Sequence, residues 1–418
     1  MPAWALALLL AMPAQPASQA TSSIHGSVTA TFDTLPRAAA TELRTRADVE
    51  AAYNPRSWAR FRLEGFAEGL VADRGRRVTA AIASAREAWV EVGGKRADLR
   101  VGFGRIVWGR LDEVQPSDVI NPLDTTRFIL DGRSEARLPV AIVRGRVYAG
   151  EKLTLEGVLV PRFRRGTFDQ LDEATSPFNL LSEELAGVPF APPIDTIDRR
   201  TPRATLSNLQ GGGRASMTFD RVDVDVAAYR GFENFGLVTI EPTFAPPPAP
   251  VFTLAERFPR FTMVAGDFET VTGKWAVRGE TALFTEKTFL AASRPGTVSG
   301  HAIDAGVGVD RKTGEFRVFA SLLFHRDWAP SDPAIERSNV DLVGSIERTF
   351  GRDRYLARAF AVVNPSDRAG FARSVFLWKM RDDVAVELSA ATFFGRGDDV
   401  LSRFHGRDFV LTRIRYQW

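Results

Sequence analysis

The side chains that could carry covalent or metal chemistry are few in this sequence. It contains no cysteine, which excludes disulfides, thiolate zinc sites and cysteine nucleophiles. The histidines lack the spacing of metal ligands; they are His25, His301, His325 and His405. Ser402 lies near His405, but no Gly-x-Ser-x-Gly motif and no third triad member accompanies them. The sequence therefore predicts no enzyme, no cofactor and no bound metal.

Charged side chains instead recur at every second position of many short segments. In residues 315–326, for example, Arg317 and His325 alternate with Val318 and Leu322. Because successive side chains of a β-strand point to opposite faces, such a segment predicts a strand with one polar and one apolar face. We predict that the polar faces line a wet pore, and the candidate pore-lining residues are Arg46, Arg60, Arg62, Glu64, Glu68, Arg144, Arg146, Arg162, Arg278, Glu280, Arg317, Arg373, Arg413 and Arg415.

Two interpretations of these charges are open. In the first, oppositely charged side chains pair across neighbouring strands and simply line a wet interior. In the second, they create a transverse field that orients polar solutes, as rings of charge set the selectivity of pores. The first is expected to hold for most of them. The net charge of +3, from 54 basic and 51 acidic residues, is too balanced to predict nucleic acid as a partner.

The elements that must position these side chains are about 18 alternating segments, joined by short turns and long loops in alternation. Tilted strands of roughly 9–11 residues can cross a bilayer, and because backbone groups in lipid must be paired, the strands must close into a barrel. The sequence predicts an all-β fold, a transmembrane antiparallel up-and-down β-barrel of about 18 strands, with 16 as the alternative. A β-sandwich would alternate similarly but explains so many strands less well. The predicted long loops are 110–139, 164–203, 235–258, 289–298, 327–338 and 395–407.

The two ends of the sequence predict where the protein is delivered. Residues 1–20 resemble a secretory signal peptide, which leaves residues 21–418 as a single barrel. The last segment, 408–418, carries Tyr416 and Trp418 on one face, and a terminal aromatic is typical of the closing strand of outer-membrane barrels. We therefore predict the cell outer membrane as the location. The expected partners are outer-membrane lipid and, through the strand ending at Trp418, the barrel-assembly machinery.

The segment 110–139 is too long and too apolar for a simple connection. Loops beyond roughly 12–15 residues are usually functional or disordered, and Ile120, Leu123 and Phe128 argue against disorder. We expect it to fold into the barrel interior and narrow the pore, or to pack against other loops or a neighbouring protomer. A calcium site built from its acids is a further alternative. Asp112, Glu113, Asp118 and Asp124 are expected to face the wall arginines and narrow the pore, and Asn121 is a further constriction candidate.

Two stretches of the sequence resemble a known family. Residues 101–124 read V-G-F-G-R-I-V-W-G-R-L-D-E-V-Q-P-S-D-V-I-N-P-L-D, and residues 155–164 read L-E-G-V-L-V-P-R-F-R. This pattern resembles a family of bacterial outer-membrane barrels that is classed as a domain of unknown function and compared with porins and alginate-export channels. The resemblance implies a porin-like transmembrane barrel, and it brings no assigned substrate and no catalytic residue.

Two functions are compatible with the predicted barrel. The first is a porin-like channel for passive diffusion of small, polar solutes whose identity the sequence leaves open. The second is a closed barrel whose external loops serve a structural or adhesive role. A transporter of apolar compounds is disfavoured, because many arginines and glutamates would line its path.

Overall fold

Eighteen antiparallel strands form one closed sheet. The computed structural model describes residues 20–75, 77–167, 176–178, 197–243, 251–293, 295–396 and 400–418. Each barrel strand pairs with its neighbours, and β1 (Thr21–Leu35) also pairs with the final strand β21 (Phe409–Gln417), which closes the barrel. The predicted all-β, up-and-down barrel of 18 strands is therefore confirmed. Residues 1–19 of the predicted signal segment fall outside the described residues.

The remaining elements follow in chain order. The other barrel strands are β2 (Ala40–Arg56), β3 (Ala59–Asp73), β4 (Arg77–Gly93), β5 (Ala97–Gly104), β6 (Val140–Ala149), β7 (Leu153–Val160), β9 (Gln210–Thr218), β10 (Val222–Phe232), β13 (Arg260–Thr272), β14 (Trp275–Leu290), β15 (Thr297–Thr313), β16 (Phe316–Trp328), β17 (Arg337–Phe350), β18 (Tyr355–Asn364), β19 (Ala369–Lys379) and β20 (Val384–Phe394). A separate small sheet contains β8 (Ile197–Arg200), β11 (Leu237–Thr243) and β12 (Val251–Arg257). The short helices are α1 (Thr125–Asp131), α2 (Arg133–Ala136) and α3 (Val400–Arg403), and single 3-10 turns lie at Pro36–Ala38, Leu206–Asn208 and Pro333–Ile335. No helix within the described ranges is long and apolar enough to cross a membrane.

Side chains of each barrel strand alternate between the outer surface and the interior. In β1, Ile24 and Val28 are 71% and 39% exposed, whereas Thr29 and Asp33 are 8% and 2% exposed. Large apolar side chains therefore form an accessible outer surface, and polar side chains are enclosed. Because a soluble protein rarely exposes so extensive an apolar surface, this arrangement suits a barrel surrounded by lipid.

The two ends of the barrel differ in the length of their connections. At the end that we term the short-turn end, two to four residues join successive strands. Several of these turns contain a glycine with positive φ, such as Gly273 at 62° and Gly314 at 60°, a conformation that tight turns require and other residues rarely adopt. At the opposite, long-loop end most connections are longer, as the sequence predicts, and in transmembrane barrels the short turns are periplasmic.

Two details of the fold differ from the sequence prediction. Arg162 does not lie on the wall, because β7 ends at Val160 and Arg162 is exposed in the connection beyond it. Pro161 has no N–H to donate, so the ladder with β9 stops before it. The small sheet was also not predicted, because β8 pairs in parallel with β12, a strand distant in sequence that a local pattern cannot reveal.

The seam between β1 and β21 is completed by the terminal residue. The backbone of Trp418 exchanges hydrogen bonds with Gly26, at 3.0 and 3.2 Å. Its indole ring stacks on Tyr416, with 6.1 Å between ring centroids, and is 54% exposed. The ring covers Gly26 so closely that a Cβ built there would lie 2.2 Å from it. A larger residue at position 26 would therefore displace the Trp418 ring from the seam.

Replacing Trp418 by Ala is expected to weaken the seam. The change removes the stacked pair with Tyr416, which contributes about 0.5–1.5 kcal/mol, and uncovers the backbone at Gly26. The fraction of protein that migrates as a folded, heat-modifiable species in electrophoresis should fall. Trp418→Phe keeps an aromatic ring and serves as the control; an equal loss in both variants would contradict a role for the ring.

Candidate functional site

The connection between β5 and β6, residues 105–139, lies against the inner wall of the barrel and is termed here the inner segment. It packs on the wall through buried apolar clusters that include Ile106, Leu111 and Leu130. Its polar groups bind inward-facing residues all round the barrel, on strands β3, β4, β7, β10, β13, β14, β16, β18, β19 and β21. The inner segment is therefore held from all sides by the wall that surrounds it.

The inner segment is fixed to β14 by one carboxylate. Glu280 accepts hydrogen bonds from the backbone N–H groups of Arg110 at 3.0 Å and Leu111 at 3.2 Å. Its other oxygen accepts from the N–H and the hydroxyl of Ser117, both at 2.7 Å. Gly109 has φ +89°, and a Cβ there would lie 2.4 Å from this carboxylate, so only glycine permits the close approach. Glu280 is thus an anchor with four donors from the segment.

A second anchor is the guanidinium of Arg110. It donates to Asp267 at 2.7 Å, Asp225 at 3.2 Å and Glu269 at 3.3 Å. These acids lie on β10 and β13, and Asp225 and Asp267 are both buried. Because buried carboxylates that lie close together repel one another, the arginine is required to compensate them. Removing it would leave uncompensated charge inside the barrel wall.

Trp108 is the apolar counterpart of these anchors. Its indole is fully buried, and its N–H donates to Glu156 of β7 at 2.7 Å. The ring meets Tyr229 edge-on, with 6.1 Å between centroids. Buried apolar residues of the wall surround both rings, among them Ile142, Val158, Phe261, Met263 and Phe284. In the sequence W-G-R at residues 108–110, the apolar anchor Trp108 therefore comes directly before the strained glycine, and the charged anchor Arg110 comes directly after it.

Two of the five acids and amides predicted to constrict the pore bind wall arginines. Asp112 lies 2.8 Å from Arg278 and 3.9 Å from Arg317. Glu113 forms an ion pair with Arg358 of β18. Of the five predicted residues, these two are therefore the ones that the inner segment turns toward wall arginines.

The other three predicted residues bind groups of the inner segment itself, which differs from the expectation. Asp118 accepts hydrogen bonds from Arg133 and Arg137, at 3.0 and 2.7 Å. Asp124 accepts from the N–H of Arg127 at 3.0 Å and caps α1. The fully buried Asn121 bonds backbone groups at both ends of the segment, namely Ile106, Gly104 and Leu138. A folded segment must satisfy its own polar groups first, and these residues serve that purpose.

Helix α1 joins the segment to strands on both sides of the β1–β21 seam. Arg127 forms an ion pair with Glu68 of β3, and Asp131 forms one with Arg413 of β21. Burial favours the protonated form of Asp131, but Arg413 and Arg127 outweigh burial and lower its pKa to about 2. Asp131 is therefore charged at neutral pH, and both ends of α1 are bound to the wall.

Most predicted pore-lining residues on the wall form ion pairs. Arg62 lies 3.1 Å from Glu50, and Arg144 lies 2.9 Å from Glu91. This pattern agrees with charges that pair across neighbouring strands. Arg415 differs, because it has no ion pair among the residues that the structure describes. The other pairs are Arg46–Asp48, Arg60–Glu91, Arg146–Asp98, Arg278–Glu269, Arg317–Asp310, Arg373–Glu387 and Arg413–Glu387.

Arg86 also faces the interior, although it is not among the predicted pore-lining residues, because a β-bulge turns it there. The register of β4 against β3 shifts between Glu64 and the following residue, and Arg86 is the extra residue. Its guanidinium lies 3.2 Å from Glu64 and 2.8 Å from Glu135 of α2. Bulges commonly redirect a side chain in this way, and strict alternation places Arg86 on the wrong face.

Two cavities adjoin the inner segment. The larger, of about 620 Å³, lies beside the β1–β21 seam, and its lining includes Arg46, Glu64, Arg413 and Arg415. The smaller, of about 340 Å³, is lined by Asp118, Asn121, Asp304 and His325, among others. Within the described part of the chain the two linings share no residue. No group of three or more His, Asp or Glu in that part is placed to hold a metal ion, so the calcium alternative gains no support.

Several solved structures have a similar fold. The outer membrane protein OpdK from Pseudomonas aeruginosa superposes with a TM-score of 0.53 at 9% identity, covering 95% of this chain and 99% of that one. OpdL from the same organism gives 0.51 at 10% identity, covering 95% and 98%. OccK5 (OpdH), also from P. aeruginosa, gives 0.50 at 10% identity, covering 96% and 97%. At such low identity the similarity establishes the fold alone.

Sequence comparison identifies the family. No curated protein sequence matches the chain. A family model described as "Protein of unknown function (DUF1302)" matches residues 38–304, which is well over half of the chain. The match includes the glycine-rich strand β5, the inner segment and both of its anchors on the wall. The protein therefore belongs to the DUF1302 family and has the porin-like β-barrel predicted for it.

Proposed function

We propose that this protein is an outer-membrane channel for passive diffusion of small, polar solutes. The observation that carries the proposal is the closed barrel with an apolar outer surface, a charged inner wall and a cavity of about 620 Å³ beside its seam. An apolar exterior suits lipid, and a charged interior suits water and polar solutes. The outer-membrane proteins that share the fold support the location.

The inner segment is the proposed constriction. Its apolar residues pack on those of β6, β7, β10, β13 and β14, and it leaves the space beside β1, β2 and β21. The lining of that space carries both signs of charge, including Arg46, Asp48, Glu64 and Arg415. Solutes would therefore pass between paired charges, which favours polar molecules over apolar ones.

A second candidate function is a closed barrel whose external loops bind a partner. One observation favours it: the two cavities share no lining residue in the described part of the chain, so the inner segment separates them. In this case the charged interior is structural, and no continuous path crosses the membrane.

Conductance in planar bilayers distinguishes the two functions. Purified protein should give stepwise single-channel currents, whereas a closed barrel gives none. Replacing residues 112–136 with a short Gly-Ser linker should raise the conductance, because it removes most of the segment that narrows the interior. Heat-modifiable migration checks that the variant has folded. A folded variant with the wild-type conductance would place the constriction elsewhere.

A further inference from the structure

Lysine is rare in this chain and is concentrated at one end of the barrel. The 54 basic residues include only six lysines, and arginine supplies the rest. Lys287, near the end of β14, is the one lysine at the long-loop end. The other five lie in or next to the turns of the short-turn end; they are Lys95, Lys152, Lys274, Lys312 and Lys379.

Three of these residues form what we term the lysine arc: Lys95, Lys152 and Lys274. They lie in three of four consecutive turns around the rim, between β4 and β14, and the remaining turn carries Arg221. All three side chains are exposed. Lys152 approaches Asp220 at 3.4 Å, with both side chains largely in solvent; the other two form no ion pair within the described ranges. Lys312 is not part of the arc, because it pairs with the inward-facing Arg317 and so leaves β15 on the interior side.

The lysine arc lies at the edge of the apolar outer surface. Two outward-facing rings mark this edge, Trp275 and Phe316, each 43% exposed. The guanidinium of Arg311 lies over Trp275 at 4.9 Å, and that of Arg348 lies over Phe316 at 5.1 Å. Aromatic girdles of transmembrane barrels lie at the level of the lipid headgroups. The arc is therefore at the depth where headgroup phosphates are found.

The choice of lysine at the rim contrasts with the choice of arginine inside. Arginine presents a rigid fork that fits a fixed carboxylate, as in the pairs along the wall. Lysine is a compact, hydrated charge on a flexible chain, and it suits a partner that moves. We propose that the lysine arc binds the headgroups of anionic phospholipids in the leaflet at the short-turn end. Basic clusters at a membrane surface attract such lipids electrostatically.

The test uses the whole barrel, folded in a zwitterionic detergent and titrated with phosphatidylglycerol or phosphatidylcholine. Native mass spectrometry measures the bound lipids. Wild-type protein should bind phosphatidylglycerol preferentially, and the preference should decrease as salt screens the charges. Replacing Lys95, Lys152 and Lys274 by Gln should weaken phosphatidylglycerol binding at least about tenfold, since each basic residue near the surface contributes roughly fivefold.

Lys287→Gln is the matched control, because it removes one lysine at the opposite end of the barrel. It should leave the lipid preference unchanged. Equal binding of the two lipids to the wild-type protein would overturn the proposal without any variant. An unchanged preference in the folded triple variant would also overturn it and point to another anionic partner, such as an acidic protein. None of these results depends on whether the barrel conducts.

Discussion

Replacing Glu280 by Gln is expected to release the inner segment from β14 and to raise the single-channel conductance of the barrel. The carboxylate accepts from Arg110, Leu111 and, twice, Ser117. Glutamine has nearly the same size, but its amide NH₂ would face Ser117, whose hydroxyl can turn to accept but whose backbone N–H is left unpaired. An unsatisfied buried group costs about 1–3 kcal/mol, so the docked segment should lose at least that much. Planar-bilayer recordings measure the change in conductance.

Glu347→Gln is the control for the loss of charge alone. Glu347 faces the interior from β17, opposite Arg317, and forms no hydrogen bond with the described residues. Its replacement should change ion selectivity slightly and leave the conductance close to that of the wild type. Equal increases in both variants would mean that charge, and not release of the segment, controls the current.

An arginine at Val28 is expected to destabilise the barrel strongly, whereas an arginine at Ser27 is not. The two residues are neighbours near the middle of β1, but Val28 lies on the outer surface and Ser27 lines the larger cavity. A charged side chain on the lipid-facing side costs up to about 2–4 kcal/mol, depending on its depth in the bilayer, and one in a polar interior costs little. Urea unfolding of the barrel in lipid vesicles measures the difference. Similar losses in both variants would contradict the assignment of the outer surface.

The strands could be predicted because a barrel wall has one simple rule. Each strand separates lipid from the interior, so alternation appears along its whole length, and the predicted 315–326 is observed as β16, Phe316–Trp328. The rule fails where the chain departs from regular pairing. Pro161 ends β7 before Arg162, and the bulge at Arg86 reverses the face of one residue. Single residues of this kind do not alter the overall pattern, so alternation alone does not reveal them.

The partners within the site could not be predicted from spacing. Arg110 binds Asp225 and Asp267, which are more than a hundred residues away, and only the closed barrel brings them together. Spacing also does not reveal burial inside the barrel. Alternation places Ser321 on the inner face, but packing in the closed barrel leaves it only 7% exposed. The composition of the inner segment predicts that it is ordered. Its composition does not predict which of its acids bind the wall, because this depends on how the segment folds. Asp118 and Asp124, for example, bind groups of the segment itself.

The ion pairs of α1 also bear on how the barrel closes. Closure joins β1 to β21, the two strands that are farthest apart in sequence, and such distant pairing costs more chain entropy than pairing of consecutive strands. Arg127 binds Glu68 of β3 on one side of this seam, and Asp131 binds Arg413 of β21 on the other. The inner segment therefore links the two sides of the closure from within the barrel and offsets part of that entropy cost.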